Sequence, residues 1–531
     1  MTISYDFERS RPFSKEIGQN LFLVGTAERG PYMEPILIKS PEEAKRMYGG
    51  FNRGNLVKAY TQAYDENRDI PIYMMRIGCT PSELKLYSDS ELAVMYFQAY
   101  DVTDDFNYSI QFRLSDFVDQ NGENVIKKFM ILKTNRGYFN YELDDQLTVN
   151  ELSRRINDDY RAKKHEIKCS AIAPNYMVSY LYEEYEEIEL PFTPGNDGTD
   201  ISKDYTYLEL ELAYDILQGR NVDIIVPVDC YIDDIHPAFL YAKDSYYGNA
   251  VYDNRLDYLT LLDTANGNQP VTFHEQLINF CFKQTQLGCM SLGVMGFRPL
   301  ARVPETIEHD NSYLERILDM TAFRKRTGFI YEVANRFYDR GFYLQPVSAE
   351  LIFTHEGIEY HDTATVRYAA LMASTYETTT NMKVGDDVRL RYNLSNYTRS
   401  DLSRLGIVTF RNSVRNGLVV QSGVTGGYET SPYHQLANVR MVQMSIVSVN
   451  AALDYVRTQE YKGEILRSVT ERTVAETLST LKNTGVISDY GMQLDWLMDG
   501  SEGEIALSLK GKHTIESIRL VSKLGREENT A

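Results

Sequence analysis

The stretch from Asn20 to Gly78 constrains the fold most, because it alternates strands and helices with the start and stop signals of each in place. Leu21 to Val24 is a short apolar run closed by Gly25, which reads as a buried strand. A second strand, Pro35 to Ile38, follows a loop. Ser40 is placed to cap a helix, Pro41 suits its first position, and Glu42 and Glu43 favour the positive end of a helix running to Tyr48. Gly49 and Gly50 stop it. A second helix from Asn55 to about Asp65 puts Leu56, Tyr60, Ala63 and Tyr64 on one side, and Ile70 to Ile77 returns as a strand. The pattern predicts an α/β core.

Gly25 and Gly30 have the G-x-x-x-x-G spacing of a phosphate loop directly after an apolar strand. Such a loop needs Lys for the phosphates, then Ser or Thr for magnesium, and a helix whose N-terminus faces the anion. Pro31 and Tyr32 occupy those positions, so the spacing reads as a strand-to-strand connection.

A chain of 531 residues exceeds one ordinary core and predicts about three or four domains. The net charge of -20, without a basic patch, argues against general binding to nucleic acid or an anionic membrane. Met1 to Glu16 lacks the apolar region of an export signal, and no apolar stretch reaches the roughly 18 residues of a spanning helix. Folding in the cytosol is the expectation. Cys79, Cys169, Cys230, Cys281 and Cys289 are odd in number and scattered, which predicts reduced, mostly buried thiols. Forty Tyr against one Trp suits wet protein interfaces as well as Tyr-rich strands.

Texture divides the chain further. Ile3, Tyr5 and Phe7 alternate with polar residues, which reads either as a strand that pairs elsewhere, having no local hairpin partner, or as a frayed terminus. From about Thr80 to Leu190 aromatic-rich strands alternate: Leu92 to Tyr100, Tyr108 to Leu114, Lys127 to Lys133 and Tyr138 to Leu143. One helix interrupts them, opened by Thr148 and Glu151 at capping-box spacing. The acidic stretch Glu183 to Glu189 reads as a solvated strand face. Pro191 to Asp200 is a turn cluster whose Asn196, Asp197 and Asp200 lack the spacing of a calcium loop. The α/β pattern then resumes with the strand Val222 to Val228, the helix Phe273 to Gln286 and the strand Cys289 to Met295.

Enzyme-like candidates are few. Asp229, just past an apolar strand, sits where α/β enzymes place site residues, but no G-x-S-x-G, H-E-x-x-H or dinucleotide glycine fingerprint accompanies it. It reads as a carboxylate at a helix start. His355 and His361 lack a third zinc ligand and read as exposed loop residues. In the last third, Asp401 to Phe410, Gly417 to Gln421 and Gly423 to Gly426 form a helix end and a hairpin. Asn438 to Met441 reads as a strand opening into a helix from Ile446 to Gln459. Val474, Leu478 and Leu481 share a helical face before a Gly485 stop, and Met492 to Met498 with Ile505 to Leu509 alternate as a hairpin.

The sequence V-G-T-A-E-R-G-P, a strand, S-P-E-E-A at a helix start and I-Y-M-M-R-I-G resembles the opening of contractile tail sheath proteins. The order L-x-x-x-G-I, a glycine-led strand, N-V-R, a helix pair, a hairpin and a terminal strand resembles their C-terminal domain, and the turn before Tyr205 to Leu217 is similar to theirs. Trp496 and the large insertion depart from the minimal pattern.

The resemblance implies a mixed α/β, multidomain subunit with a discontinuous α/β core, a β-rich insertion and a C-terminal α/β assembly domain. Its divisions are an extended arm at 1–19, core at 20–79 and 196–362, insertion at 80–195, assembly domain at 363–513 and a strand arm with tail at 514–531. It implies hexameric rings stacked around a tail tube in a virion, assembled in host cytoplasm and contracting without nucleotide. Partners would be other copies, the tube protein, and baseplate and terminator proteins, with no nucleic acid, membrane insertion, cofactor, metal or catalytic residue. Ile3, Tyr5, Phe7, Glu516, Ile518 and Leu520 would form inter-subunit strand arms. An α/β hydrolase-like or nucleotide-using enzyme, and a non-contractile baseplate component, are the alternatives. Because Pro31 and Tyr32 replace Lys and a hydroxyl, the purified protein is expected neither to bind nor to hydrolyse ATP; micromolar binding lost on changing Gly30 would overturn this.

Overall fold

Hydrophobic runs at Leu21, Ile72, Ile224, Leu292 and Leu344 become five parallel strands of one sheet. The computed structural model describes residues 19–51, 53–101, 108–118, 124–134, 137–196, 203–232, 273–297, 340–375, 379–458, 463–496, 503–510 and 518–520. The sheet order is Leu344–Val347, Leu292–Gly296, Ile224–Pro227, Leu21–Gly25, Ile72–Arg76, then Ile36–Ile38, which is antiparallel to its neighbour. Every residue of Leu21–Gly25 is buried, as expected for a parallel strand covered on both faces. The helix Pro41–Tyr48 starts where its signals place it: Ser40 Oγ accepts from Glu43 N at 3.2 Å.

Helices Leu56–Glu66, Thr365–Ser374, Phe273–Gln286 and Leu436–Arg457 cover this sheet and contribute to the same core. The last corrects the strand expected at Asn438 to Met441. Leu436, Val439, Val442, Ile446 and Val449 are all buried at spacings of three and four residues, the period of a helical face, which the four-residue window Asn438 to Met441 is too short to display. Gln443 on this helix donates from Nε2 to Asp223 O at 2.7 Å and Met290 O at 2.9 Å, tying it to the segments that open two sheet strands.

A second, separate core runs from Leu86 to Phe192. One of its sheets holds Ser82–Tyr87, Ala93–Ala99 and Ile167–Ala171. The other holds Glu189–Pro191, Ser109–Val118, Asn124–Thr134 and Gly137–Leu143. Thr148 caps the helix Val149–Asp158 by accepting from Glu151 N, but the Glu151 carboxylate turns to Arg155 at 3.0 Å, so only half a capping box forms. Glu183 and Glu184 lie on the helix Val178–Tyr185, not on a strand. Val178, Leu181 and Tyr182 bury one helical face, which leaves the intervening acids to solvent.

Downstream, Phe410–Ser413 and Gly417–Val420 pair as a hairpin, and the helix Gly463–Asn483 buries Val474, Leu478 and Leu481 before Gly485 turns left-handed at φ 79°. Asp489–Trp496 pairs with Gly503–Lys510.

Arg367 is fully buried and joins distant parts of the chain. Its guanidinium lies 3.3 Å from Glu66 Oε2 and 2.9 Å from Asp387 Oδ2, and Glu66 also accepts from Gly385 N at 3.1 Å. Removing Arg367 leaves the buried Glu66 carboxylate without its partner, whereas Asp387, 46% exposed, keeps its solvent. Arg367→Ala is therefore expected to cost about 3–5 kcal/mol of stability, read as a large drop in denaturation midpoint; a change within error would show that water replaces the guanidinium.

Candidate functional site

Leu21–Gly25 lies between Ile72–Arg76 and Ile224–Pro227 in the sheet; the chain passes from it to the Ile72–Arg76 side and only later returns to add Ile224–Pro227, Leu292–Gly296 and Leu344–Val347 on the other. The carboxyl ends of Leu21–Gly25 and Ile224–Pro227 thus make a topological switch point, the crevice where open α/β sheets take ligands. Here a side chain fills it. Asp229 accepts from Thr26 N at 2.5 Å through Oδ2 and from Asn55 Nδ2 at 2.7 Å through Oδ1. Burial raises its pKa above the usual carboxylate range, and these two hydrogen bonds pull it back. A Cβ on Gly25 would meet Val228 Cγ2 at 2.2 Å and Asp229 Oδ2 at 2.7 Å.

Asp229 does not itself open a helix. It holds Asn55, the residue before the helix Leu56–Glu66, and the backbone of the loop after Leu21–Gly25. The other half of the phosphate-loop spacing is equally occupied. Tyr32 bridges Arg76 in parallel, stacks on Tyr100 at 4.6 Å and donates to Glu209 at 2.6 and 2.7 Å.

His355 and His361 lie on the paired strands Glu350–His355 and Ile358–Thr363 rather than in a loop. His355 stacks on Phe51 at 4.5 Å, and His361 is 3.4 Å from Glu359. The turn between the strands needs only Glu356 and Gly357, both left-handed, so His355 ends one strand beside it and His361 lies within the other, opposite Ile352. No group of three metal-ligating side chains occurs among the described residues. Four of the five free cysteines are buried, and Cys289 is half-buried.

Of the strand-arm candidates, Ile3, Tyr5, Phe7 and Glu516 lie outside the described residues. Ile518–Leu520 is described, and it pairs antiparallel with this chain's own Gly503–Lys510, with Leu507 opposite Ile518 and Ile505 opposite Leu520. It forms one edge of a three-stranded sheet whose other edge is Asp489–Trp496.

No family model matches the sequence, and no curated protein matches it. The fold does match. The sheath tail protein Lin1278 of Listeria innocua superposes with a TM-score of 0.52 at 10% identity, over 96% of this chain and 96% of that one. The chain has the fold of a sheath tail protein. A sheath tail protein of Desulfitobacterium hafniense aligns at 12% identity over 99% of this chain and 100% of its own, with a TM-score of 0.47. The helical sheath of the anti-feeding prophage in its contracted state aligns at 9% identity over 94% and 91%, with a TM-score of 0.40.

Within this sheath fold the β-rich module meets the core at a polar junction that no sequence motif signals. Thr80 and Asn196 exchange main-chain hydrogen bonds at 2.9 and 3.0 Å where the chain leaves and returns. Beside them, the fully buried Arg76 donates from Nη1 to Gly30 O at 2.9 Å in the core and Tyr100 O at 2.8 Å in the module. Tyr100 N in turn donates to Glu166 O at 3.3 Å. Asp101 and His165, both buried, pair at 3.1 Å. The one available signal was an Arg inside an otherwise apolar strand, I-Y-M-M-R-I.

Burial pushes the Glu166 carboxyl up to about 8, with Asp101 and Glu34 adding to the rise and Arg76 and Lys168 opposing it. A folded pKa above the unfolded value of 4.5 means that the folded state binds the proton more tightly. Stability is therefore highest below pH about 4.5 for this group and falls as pH rises towards about 8, by at most about 1.4 kcal/mol per pH unit. Glu166→Gln is expected to flatten that dependence and raise the denaturation midpoint at pH 8. Parallel profiles for variant and parent across this window would remove the assignment.

Proposed function

We propose that this chain is the structural subunit of a contractile tail sheath, polymerising as stacked hexameric rings around a tail tube in a virion and contracting without nucleotide. The shared fold over 96% of both chains supports the reading, and a switch-point crevice filled by Asp229 agrees with a structural rather than an enzymatic role. In this proposal the core comprises 20–79 and 196–362, with the insertion at 80–195 and the assembly domain at 363–513. The tube protein, baseplate and terminator proteins are its partners beyond other copies.

The proposed joints are strands exchanged between copies. Ile518–Leu520 and Gly503–Lys510 form a pairing of the kind that neighbouring protomers exchange, since the same register can be made within a chain or between two chains. Asp489–Trp496 leaves the opposite edge for an arm from 1–19 carrying Ile3, Tyr5 and Phe7. Each main-chain bond contributes only about 0.5–1.5 kcal/mol net, but every copy is tied to several others, which multiplies the effect. The globular bodies would re-dock around these joints in a lower-energy packing.

Negative-stain microscopy of the purified chain is expected to show rings or tubes. Removing 514–531, which contains Glu516, Ile518 and Leu520, is expected to leave a soluble, cooperatively melting protein that forms neither, and Ile518→Asp with Leu520→Asp to do the same. Wild-type polymerisation of the truncated chain would exclude strand exchange by these residues, and failure to fold would assign them to the chain's own core.

A further inference from the structure

The β-rich module is joined to the core through a narrow neck. Beyond the Thr80–Asn196 pair the outgoing and returning strands stay together, Thr193 N donating to Glu83 O at 2.7 Å and Glu83 N to Thr193 O at 3.3 Å. A Cβ on Gly195 would meet Ser82 N and Thr80 O, both at 2.7 Å, so glycine is what lets the two strands close up. Ser82 opens the module's own strand Ser82–Tyr87, which makes the neck an extension of the module's sheet. At its core end, two residues past Ile72–Arg76, Gly78 turns left-handed at φ 76°.

Close packing between elements stays within the core or within the module among the described residues. What bridges them is Tyr100. Its main-chain O accepts from Arg76 of the core, and its ring stacks on Tyr32 of the core while Lys168 Nζ of the module lies 5.4 Å from the ring centre. Tyr32, Tyr100 and Cys79 belong to neither hydrophobic core. Cys79 is nevertheless fully buried, so the docked junction is what covers it, and burial pushes its thiol up to about 12.

Bodies joined by so small and polar an interface are free to move relative to one another unless something pins them. We propose that the module is a hinged arm that swings at Gly78, the core end of its neck, and that the Tyr100 ring wedged against Tyr32 holds it docked. Opening breaks the ring stack and the Arg76–Tyr100 hydrogen bond, leaves both hydrophobic cores whole, and uncovers Cys79. This does not depend on the sheath reading.

The native cysteines report the motion, because a thiol reacts as thiolate and a buried one stays inert until it is uncovered. Alkylation of the full chain is followed at each cysteine by peptide mass spectrometry, once with iodoacetamide and once with a polymer-linked maleimide. Tyr100→Ala is expected to raise the Cys79 rate about tenfold with both reagents. Cys169 in the module core and Cys281 in the sheet core are expected to keep their parent rates. Tyr100→Phe, which retains the ring, is expected to label as slowly as the parent. An unchanged Cys79 rate in Tyr100→Ala, or fast labelling in Tyr100→Phe, would overturn the proposal. Acceleration confined to iodoacetamide would also overturn it, since a hole left by the lost ring admits a small reagent without any swing. Equal acceleration of Cys79, Cys169 and Cys281 would assign Tyr100 to folding rather than docking and overturn it as well.

Discussion

The main-chain pairing of Leu21–Gly25 with Ile72–Arg76 on one side and Ile224–Pro227 on the other is the constraint on which the rest of the structure depends. The first partner is close in sequence, whereas the second pairs across about two hundred positions, as the separation of 203 between Thr26 and Asp229 illustrates. Closing so long a loop costs only slightly more entropy than closing a moderate one, so a second folded unit is accommodated between the two halves of the sheet. The module from Leu86 to Phe192 exploits this by keeping its own hydrophobic core.

Buried polar groups decide how these pieces are held. Asp229 fixes the loop after the central strand, Gln443 fixes the long C-terminal helix to two strand starts, Arg367 joins helix Leu56–Glu66 to Asp387, and Arg76 spans core and module. Each is a directional contact inside apolar surroundings, where a misplaced partner leaves a buried polar group unsatisfied. Hydrophobic burial makes the body compact, and these ties select one arrangement of it.

The pairing of Ile518–Leu520 with Gly503–Lys510 obeys the same physics. An edge strand exposes unpaired N–H and C=O groups, and a short strand from the same chain satisfies some of them in an isolated subunit. Exchange between copies would conserve the hydrogen bonds while converting a local contact into a lattice contact.

Local signals sufficed wherever short-range chemistry fixes the backbone. Ser40 with Pro41 defined a helix start, Gly485 a helix stop, and Leu21 to Val24 a buried strand, and the order of such elements indicated a mixed α/β sheath-like chain. Tertiary structure alone decided the rest. Asn438 to Met441 is helical because it packs as one turn of the long helix from Leu436, whose buried face a four-residue window does not show, and Glu183 lies on a helix because Val178, Leu181 and Tyr182 found a core to cover. Asp229 took its role from Thr26 and Asn55, 203 and 174 positions away, and Glu166 its raised pKa from a junction of segments distant in sequence. Hydrogen bonding and desolvation depend on what folding brings within a few ångströms, and that distance is set by the whole chain rather than by neighbours along it.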